Sequence, residues 1–217
     1  MALVGVDEAG KGPVLGSMFA AAVRAADGAA LPDGLADSKA LAPDRREALD
    51  RALRTTDGVT VAVREVTVHR IDDPATDMNG LTVDAHAEAV AGVAQAGDSV
   101  RCDAADVDAD RFGRRVAEGL RRAGVDVAVG AAHKADERGG LVSAAGVVAK
   151  VARDAHVAEL ATAYGDVGSG YPSDPTTRTF LADYVAALGR LPGCARSSWA
   201  TSERVLADAA QSALGEY

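Results

Sequence analysis

The sequence predicts an α/β fold, because strand-like and helix-like segments alternate along the chain. Five segments have the short apolar or β-branched pattern of strands, at residues 2–7, 14–24, 59–68, 98–103 and 125–129. Helices are expected between and after them, at residues 43–54, 81–95, 110–123, 176–188 and 201–214. The short glycine-rich connection between the first two strands favours an antiparallel pair.

Local signals support the elements in turn. Pro43 suits the first turn of a helix, and residues 59–68 alternate valine with other residues, as a half-buried strand does. Residues 81–95 are rich in alanine, the strongest helix former. Asp106 and Asp108 precede the third predicted helix, where negative charge suits the helix dipole. We therefore interpret these two acids as loop and helix-start residues.

The amino-acid composition indicates the environment in which the protein works and limits the kinds of partner it can bind. Its 217 residues carry a net charge of −9, with 23 Asp against 9 Glu and 19 Arg against 4 Lys. This bias suits a high-salt cytoplasm, where charges are screened within about 3 Å at 1 M salt, although nucleic-acid binders usually have a basic surface. The sequence has no run of 18 apolar residues, and its two cysteines are too few for a disulfide framework. We expect a soluble, cytoplasmic monomer without a secretory leader or a membrane partner.

Residues 3–17 place two adjacent carboxylates, Asp7 and Glu8, between an apolar strand and a glycine-rich turn. Successive side chains of a strand point to opposite faces, so we expect the strand to end at Asp7 and the chain to turn, which would bring both acids together. Gly10 and Gly12 suit that turn. Carboxylates beside free backbone N–H groups indicate a metal site that also receives a phosphate.

Two other glycine-loop motifs fit this stretch poorly. Residues 5–11 match Gly-x4-Gly-Lys, but Gly12 follows where the phosphate loop of nucleoside triphosphatases needs Ser or Thr. Two carboxylates would also lie inside that anion site. The dinucleotide-binding fingerprint fails because Gly16 comes one residue too late.

The run from Asp7 to Pro13, Asp-Glu-Ala-Gly-Lys-Gly-Pro, resembles the opening motif of type 2 ribonucleases H (ribonuclease HII), in which Arg usually stands in place of Lys11. Later segments extend the resemblance over nearly the whole chain. It implies a ribonuclease H-like fold, a mixed five-stranded sheet flanked by helices. It also implies a catalytic core over residues 1–160 and a helical C-terminal extension over residues 161–217, packed on the core.

The resemblance also implies the catalytic residues. In the family, a strand that ends in acid carries the third carboxylate, which falls on Asp103, and a His-Lys-Ala-Asp segment carries the fourth, on Asp136. With Asp7 and Glu8 they would form a cluster of four carboxylates that binds two Mg²⁺ or Mn²⁺ ions. Glu137 is the alternative to Asp136, and the family's spacing to the following Ser-Ala-Ala helix favours Asp136.

Substrate contacts are implied in the same way. The backbone of Gly10, Lys11 and Gly12 would sense the 2′-hydroxyl that distinguishes RNA from DNA. Lys39, in an Asp-Ser-Lys-x-Leu segment, would face a substrate phosphate. Tyr171, in a Gly-Tyr-Pro element, would pack against the sugar at the junction of RNA and DNA.

The activity that the resemblance implies is hydrolysis of the RNA strand of RNA/DNA hybrids and of ribonucleotides embedded in duplex DNA, leaving 5′-phosphate and 3′-hydroxyl ends. The alternative is a catalytically silent module that binds RNA/DNA hybrids or acts as an adaptor for a sliding clamp. The presence of all four acids argues against this alternative, because clustered carboxylates repel one another and an inactive protein would gain nothing from keeping them. Besides Lys11, the chain departs from the family at Gly146, where Ser is usual, and at Ser197, where a second Arg is usual.

The C-terminus offers a second candidate partner. Gln211, Leu214 and Tyr217 fit the pattern Gln-x-x-Leu-x-x-aromatic, which is similar to peptides that dock on sliding clamps. The second aromatic residue of such peptides is missing. We therefore favour an ordinary amphipathic helix end and keep clamp binding as the alternative.

Overall fold

The centre of the protein is one mixed β-sheet. The structure is a computed structural model that describes residues 2–26, 29–35, 41–135 and 140–214, with only the backbone of residues 212–214. In this part of the chain the sheet has five strands: β1 (Leu3–Ala9), β2 (Met18–Ala25), β3 (Val59–Val66), β4 (Ser99–Asp103) and β5 (Ala128–Ala132). Their order is β3-β2-β1-β4-β5. Strands β1, β2 and β3 pair antiparallel, and β4 lies parallel to both β1 and β5, which confirms the predicted fold class.

Helices surround the sheet. The described residues form seven: α1 (Pro43–Thr55), α2 (Val68–Ile71), α3 (Met78–Ala91), α4 (Ala109–Arg122), α5 (Leu141–Tyr164), α6 (Pro175–Leu188) and α7 (Ala200–Leu214). Helices α3, α4 and α6 start at aspartates whose side chains accept hydrogen bonds from N–H groups of the first turn. The single turn of α2 was not expected from the sequence. No helix in the described ranges is both long and apolar enough to span a membrane.

Some strand bounds differ from the prediction. Strand β1 continues to Ala9, because it pairs with β2 along its full length. Strand β2 begins only at Met18, because the backbone of residues 14–16 is bonded to Gly170 and Cys194 instead. Strand β5 starts three residues later than expected.

The two faces of the sheet are covered by different helices. Helices α3 and α4 pack on the face that carries Val4 and Val6. Helices α1 and α5 pack on the opposite face, and α5 comes very close to β1 because Gly5 has no side chain. A Cβ atom at Gly5 would lie 2.1 Å from the carbonyl carbon of Leu141.

A third apolar cluster joins the glycine-rich turn to the C-terminal part of the chain. It contains Val14, Leu15, Val167, Leu181, Cys194 and Ala195. This cluster fixes the turn after β1 against α6 and against the segment that precedes α7. The division of the chain into a core and an extension at residue 160 stays a prediction.

Candidate active site

The first two acids lie on opposite faces of the sheet. Because β1 continues to Ala9, its alternation directs Asp7 toward α5 and Glu8 toward α3. A Cβ atom on Gly146 of α5 would lie 2.5 Å from Oδ2 of Asp7, and Oε2 of Glu8 lies 2.8 Å from Nε2 of His86 in α3. The expected end of the strand at Asp7 is therefore wrong, and the missing side chain at position 146 makes room for the Asp7 carboxylate.

Strand register brings the third acid beside Asp7. In the parallel pair of β1 and β4, Val6 lies opposite Cys102. The next residues, Asp7 and Asp103, are therefore neighbours whose side chains leave the same face of the sheet. The Asp103 carboxylate accepts a hydrogen bond of 2.7 Å from the N–H of Ala135, in the segment after β5.

The three carboxylates interact strongly. The pKa of Asp7 is raised to about 8, first by burial and then by the negative charges of Glu8 and Asp103. The N–H of Glu8, which donates to Oδ1 of Asp7 at 2.7 Å, and the nearby His86 oppose this shift only in part. Carboxylates with unbalanced negative charge are hard oxygen donors of the kind that bind a divalent cation such as Mg²⁺ or Mn²⁺.

Part of the predicted site lies outside the described residues. This applies to Asp136, its alternative Glu137, Lys39 and Tyr217, whose roles stay predictions. Within residues 2–26, 29–35, 41–135 and 140–214, no group of three or more His, Cys, Asp or Glu side chains is arranged so that it could hold a metal ion by itself.

His86 is a contact of the site that the sequence analysis did not identify. Its ring is fully buried and stands edge-on to Phe112, with 5.1 Å between the ring centroids. Its Nδ1 atom is buried and has no hydrogen-bond partner in the described part of the chain, so Nε2 is the ring nitrogen that meets the Glu8 carboxylate. A single histidine on an apolar helix face does not signal such a role in sequence.

Lys11 ties the glycine-rich turn to two other segments. Its Nζ atom donates to Oδ1 of Asn79 at 3.0 Å and to the carbonyl oxygen of Ala105 at 2.7 Å. The ammonium group therefore links the turn to the start of α3 and to the segment after β4. Its contact with substrate stays a prediction.

Arg196 holds the carbonyl groups of the same turn. Its buried guanidinium donates to the carbonyl oxygens of Gly10 at 2.6 Å, of Lys11 at 2.9 Å and of Gly16 at 2.9 Å. It also lies over Trp199, 4.9 Å from the ring centroid. Burial lowers the pKa of Arg196 to about 10, so the group remains charged at neutral pH. The sequence does not distinguish such an inward-facing arginine from one that faces a phosphate.

A cleft of about 380 Å³ adjoins Glu8 and the glycine-rich turn. It is lined by Glu8, Ala9, Gly10, Lys11, Gly12, Arg46, Lys150, Arg153, Asp154 and Tyr171. Four basic side chains outnumber two acidic ones there, although the whole chain has a net charge of −9. A larger groove of about 820 Å³ beside β4 and β5 is lined mostly by apolar residues, and Arg101 is the one charged residue among those that line it in the described part of the chain. The smaller, positively charged cleft is therefore the better place for a phosphate backbone.

Tyr171 forms one rim of the cleft. Its ring is 39% exposed and lies 5.2 Å from the guanidinium carbon of Arg153. The preceding Gly170 accepts hydrogen bonds from the N–H groups of residues 14–15. A Cβ atom on Gly12 would lie 3.7 Å from the Tyr171 ring, so the ring and the glycine-rich turn form one continuous wall.

Asp106, Asp108 and Ser197 make hydrogen bonds or ion pairs that stabilise the fold. Asp108 caps α4 by accepting from the N–H of Arg111 at 2.8 Å, and Asp106 pairs with the guanidinium of the same arginine at 2.7 Å. Ser197 donates from its N–H and its hydroxyl to Asp72 at 2.7 and 2.9 Å. These contacts account for Asp106 and Asp108 without a catalytic role.

The chain is similar to known proteins in both sequence and fold. A family model described as Ribonuclease HII matches residues 4–202. The chain is 62% identical over 213 residues to a ribonuclease HII of Haloarcula marismortui, covering 98% of this chain and 99% of that protein. A ribonuclease H2 structure from Pyrococcus horikoshii superposes with a TM-score of 0.87 at 34% identity, covering 97% of this chain and 100% of that chain. The structure of a PCNA:RNase HII complex from Archaeoglobus fulgidus matches with a TM-score of 0.80 at 35% identity, covering 92% of this chain and 95% of that chain.

Proposed function

The chain belongs to the ribonuclease HII family, and from this membership we propose that it cuts ribonucleotides embedded in duplex DNA. Ribonuclease H activity on RNA/DNA hybrids follows from the family, as does a metal-dependent endoribonuclease chemistry. We propose that both substrates are cut to leave 5′-phosphate and 3′-hydroxyl ends. The observation that carries the proposal is the position of Asp7 and Asp103, side by side on parallel strands, with Glu8 of the same strand as Asp7 lining a positively charged cleft.

We propose that the metal ions are held by Asp7, Glu8, Asp103 and Asp136. When bound, two ions of Mg²⁺ or Mn²⁺ supply activation of water, a hold on the scissile phosphate and stabilisation of the leaving 3′-oxygen. The raised pKa of Asp7 supports this assignment, because carboxylates that repel one another are suited to share divalent cations. His86 orients Glu8 by donating a hydrogen bond to its carboxylate.

The remaining residues of the site bind and select the substrate. The basic residues of the cleft attract the phosphate backbone. The backbone N–H groups of residues 10–12 select a 2′-hydroxyl, and Tyr171 packs against the sugar beside it. Lys39 is proposed to contact a further phosphate.

The test is cleavage of a labelled DNA duplex that carries one ribonucleotide, with Mg²⁺ or Mn²⁺, beside an all-DNA duplex and a long RNA/DNA hybrid. We expect cutting on the 5′ side of the ribonucleotide, cutting of the hybrid, no cutting of the all-DNA duplex and no activity in a chelator. Folded protein that cuts neither ribonucleotide-containing substrate at low or molar salt would instead support the silent hybrid-binding module.

Matched variants test the ligand assignment. Asp103→Asn should lower kcat by at least about 100-fold, since loss of a metal ligand removes transition-state stabilisation. Asp106→Asn removes a nearby acid that is paired with Arg111 and should leave kcat within about twofold. Asp136→Asn and Glu137→Gln separate the two candidates for the fourth ligand, and a loss of activity in Glu137→Gln alone would overturn the assignment to Asp136.

We also propose a sliding clamp as a partner. The support is the Archaeoglobus fulgidus relative, which was solved in a complex with PCNA. Gln211 is exposed near the end of α7, while the side chains of Leu214 and Tyr217 lie outside the described residues. Loss of clamp co-elution after deletion of residues 211–217 would support this contact, and unchanged co-elution would place it elsewhere.

A further inference from the structure

The glycine-rich turn is held from a distant part of the chain. The segment that ends at Arg196 runs beside residues 14–16: the N–H of Gly16 donates to Cys194 at 2.8 Å, and the N–H of Arg196 donates to Val14 at 2.8 Å. This pairing places the Arg196 side chain under the turn. From there its guanidinium reaches the carbonyl oxygens of Gly10 and Lys11.

Peptide geometry determines where the neighbouring N–H groups of the turn point. In a trans peptide the C=O of one residue and the N–H of the next point to opposite sides of one plane. The carbonyls of Gly10 and Lys11 are drawn toward the buried guanidinium, so the N–H groups of Lys11 and Gly12 point away from it. Neither N–H has a hydrogen-bond partner among the described residues, and both residues line the cleft.

We propose that Arg196 is a positioning residue that presents the N–H groups of Lys11 and Gly12 to the 2′-hydroxyl of the substrate. The inference rests on the proposed function, because it assigns an origin to the selectivity of the same site. Arg196 does not touch the substrate. It acts by fixing the orientation of two consecutive peptide groups.

Only an arginine can make all of these contacts at once. The guanidinium is a rigid, planar fork, and its three nitrogen atoms each donate to a different carbonyl oxygen. A lysine keeps the charge but carries a single nitrogen, which cannot span the same three acceptors. Gly10 has a positive φ of 90°, so the turn depends on a conformation that most residues avoid, and removal of the fork leaves its peptide groups free to reorient.

The experiment compares selectivity in active, metal-loaded protein. KM and kcat are measured for the duplex with one ribonucleotide, and the all-DNA duplex is used as a competitive inhibitor to obtain its Ki. The ratio of this Ki to KM reports recognition of one 2′-hydroxyl. We expect Arg196→Lys to raise KM for the ribonucleotide duplex at least tenfold and to change the Ki of the all-DNA duplex by less than twofold.

Ser202→Ala is the matched control. The Ser202 hydroxyl donates to the carbonyl oxygen of Arg196 at 2.7 Å, so this change loosens the same segment without touching the fork. It should lower the melting temperature and leave the ratio of Ki to KM unchanged. Should Arg196→Lys fail to fold, Trp199→Phe weakens the ring stacked on the guanidinium and should reduce the ratio about threefold.

The outcomes separate this inference from the proposed function. An inactive wild-type protein would refute the function. An active wild-type protein whose Arg196→Lys variant changes KM and Ki in parallel, or changes neither, would show that Arg196 only stabilises the fold. A selective loss in Arg196→Lys that Ser202→Ala does not share would establish the positioning role.

Discussion

At the scale of single residues, the charged form of Asp7 destabilises the folded protein at the candidate site. In the folded protein the pKa of this carboxyl is about 8, against an ordinary value of 3.8. Between these values the unfolded chain has released the proton and the folded protein still holds it, so the contribution of Asp7 to the free energy of unfolding falls as pH rises from about 4 to about 8. The cause is burial together with the charges of Glu8 and Asp103.

We therefore expect Asp7→Asn to abolish cleavage but to stabilise the metal-free protein. At pH 8 the free energy of unfolding should rise by about 1–3 kcal/mol, because the neutral amide avoids the repulsion, whereas at pH 4.5 the two proteins should differ little. Urea unfolding in a chelator at both pH values measures this. A variant that is less stable than wild type at pH 8, or that keeps its turnover with Mg²⁺, would contradict the account.

Sequence predicted the acids of the candidate site but not the residues that contact them. Asp7 follows an apolar, strand-like run that is visible in a single sequence, whereas the assignment of Asp103 depends on the resemblance to the family. The roles of His86 and Arg196 depend on which elements lie next to β1 and to the turn, contacts that join residues 78 and 186 positions apart. No local pattern encodes such contacts, so they emerge only from the fold.

At the scale of elements, the site depends on how closely α5 approaches β1. A Cβ atom at Gly5 would lie 2.1 Å from the backbone of Leu141, and backbone cannot move aside as a flexible side chain can. Gly5→Ala should therefore push the start of α5 away from the sheet and cost about 1–3 kcal/mol of stability. It should also lower kcat, because α5 carries Gly146 against Asp7.

Gly130→Ala is the comparison for this prediction. Gly130 lies in β5, and a Cβ atom there would come no closer than 4.0 Å to Val100. This variant should keep both its melting temperature and its kcat. Equal stability of the two alanine variants in thermal unfolding would show that the approach of α5 does not limit the fold.

At the scale of elements, the end of β1 shows a limit of prediction from local sequence patterns. Periodicity predicted five strands and their alternation with helices, because each strand or helix carries its own local pattern. The end of β1 was predicted wrongly because the strand is prolonged by pairing of Ala9 with Phe19 in β2. A partner strand can thus extend a segment into a region that its own glycines mark as a turn.

At the scale of the whole molecule, added salt should stabilise the fold, because the chain has an excess of acidic residues, and should weaken the binding of nucleic acid. A net charge of −9 repels itself over a Debye length of about 10 Å at 0.1 M salt and about 3 Å at 1 M salt. Raising KCl from 0.1 to 1 M should therefore raise the melting temperature by several degrees, at roughly 2–4 °C per kcal/mol for a domain of this size. Sucrose, which screens no charge, serves as the comparison.

Binding should weaken over the same range, and the steepness of the loss reports the number of cations involved. Four basic side chains line the cleft, and each phosphate that is neutralised contributes about −0.9 to the slope of log affinity against log salt. A slope for the all-DNA duplex no steeper than about −4 is therefore expected if these residues carry the backbone contact. A steeper slope would require basic residues beyond the cleft, with Lys39 the first to replace by Gln. A slope near zero would remove the cleft from the binding surface.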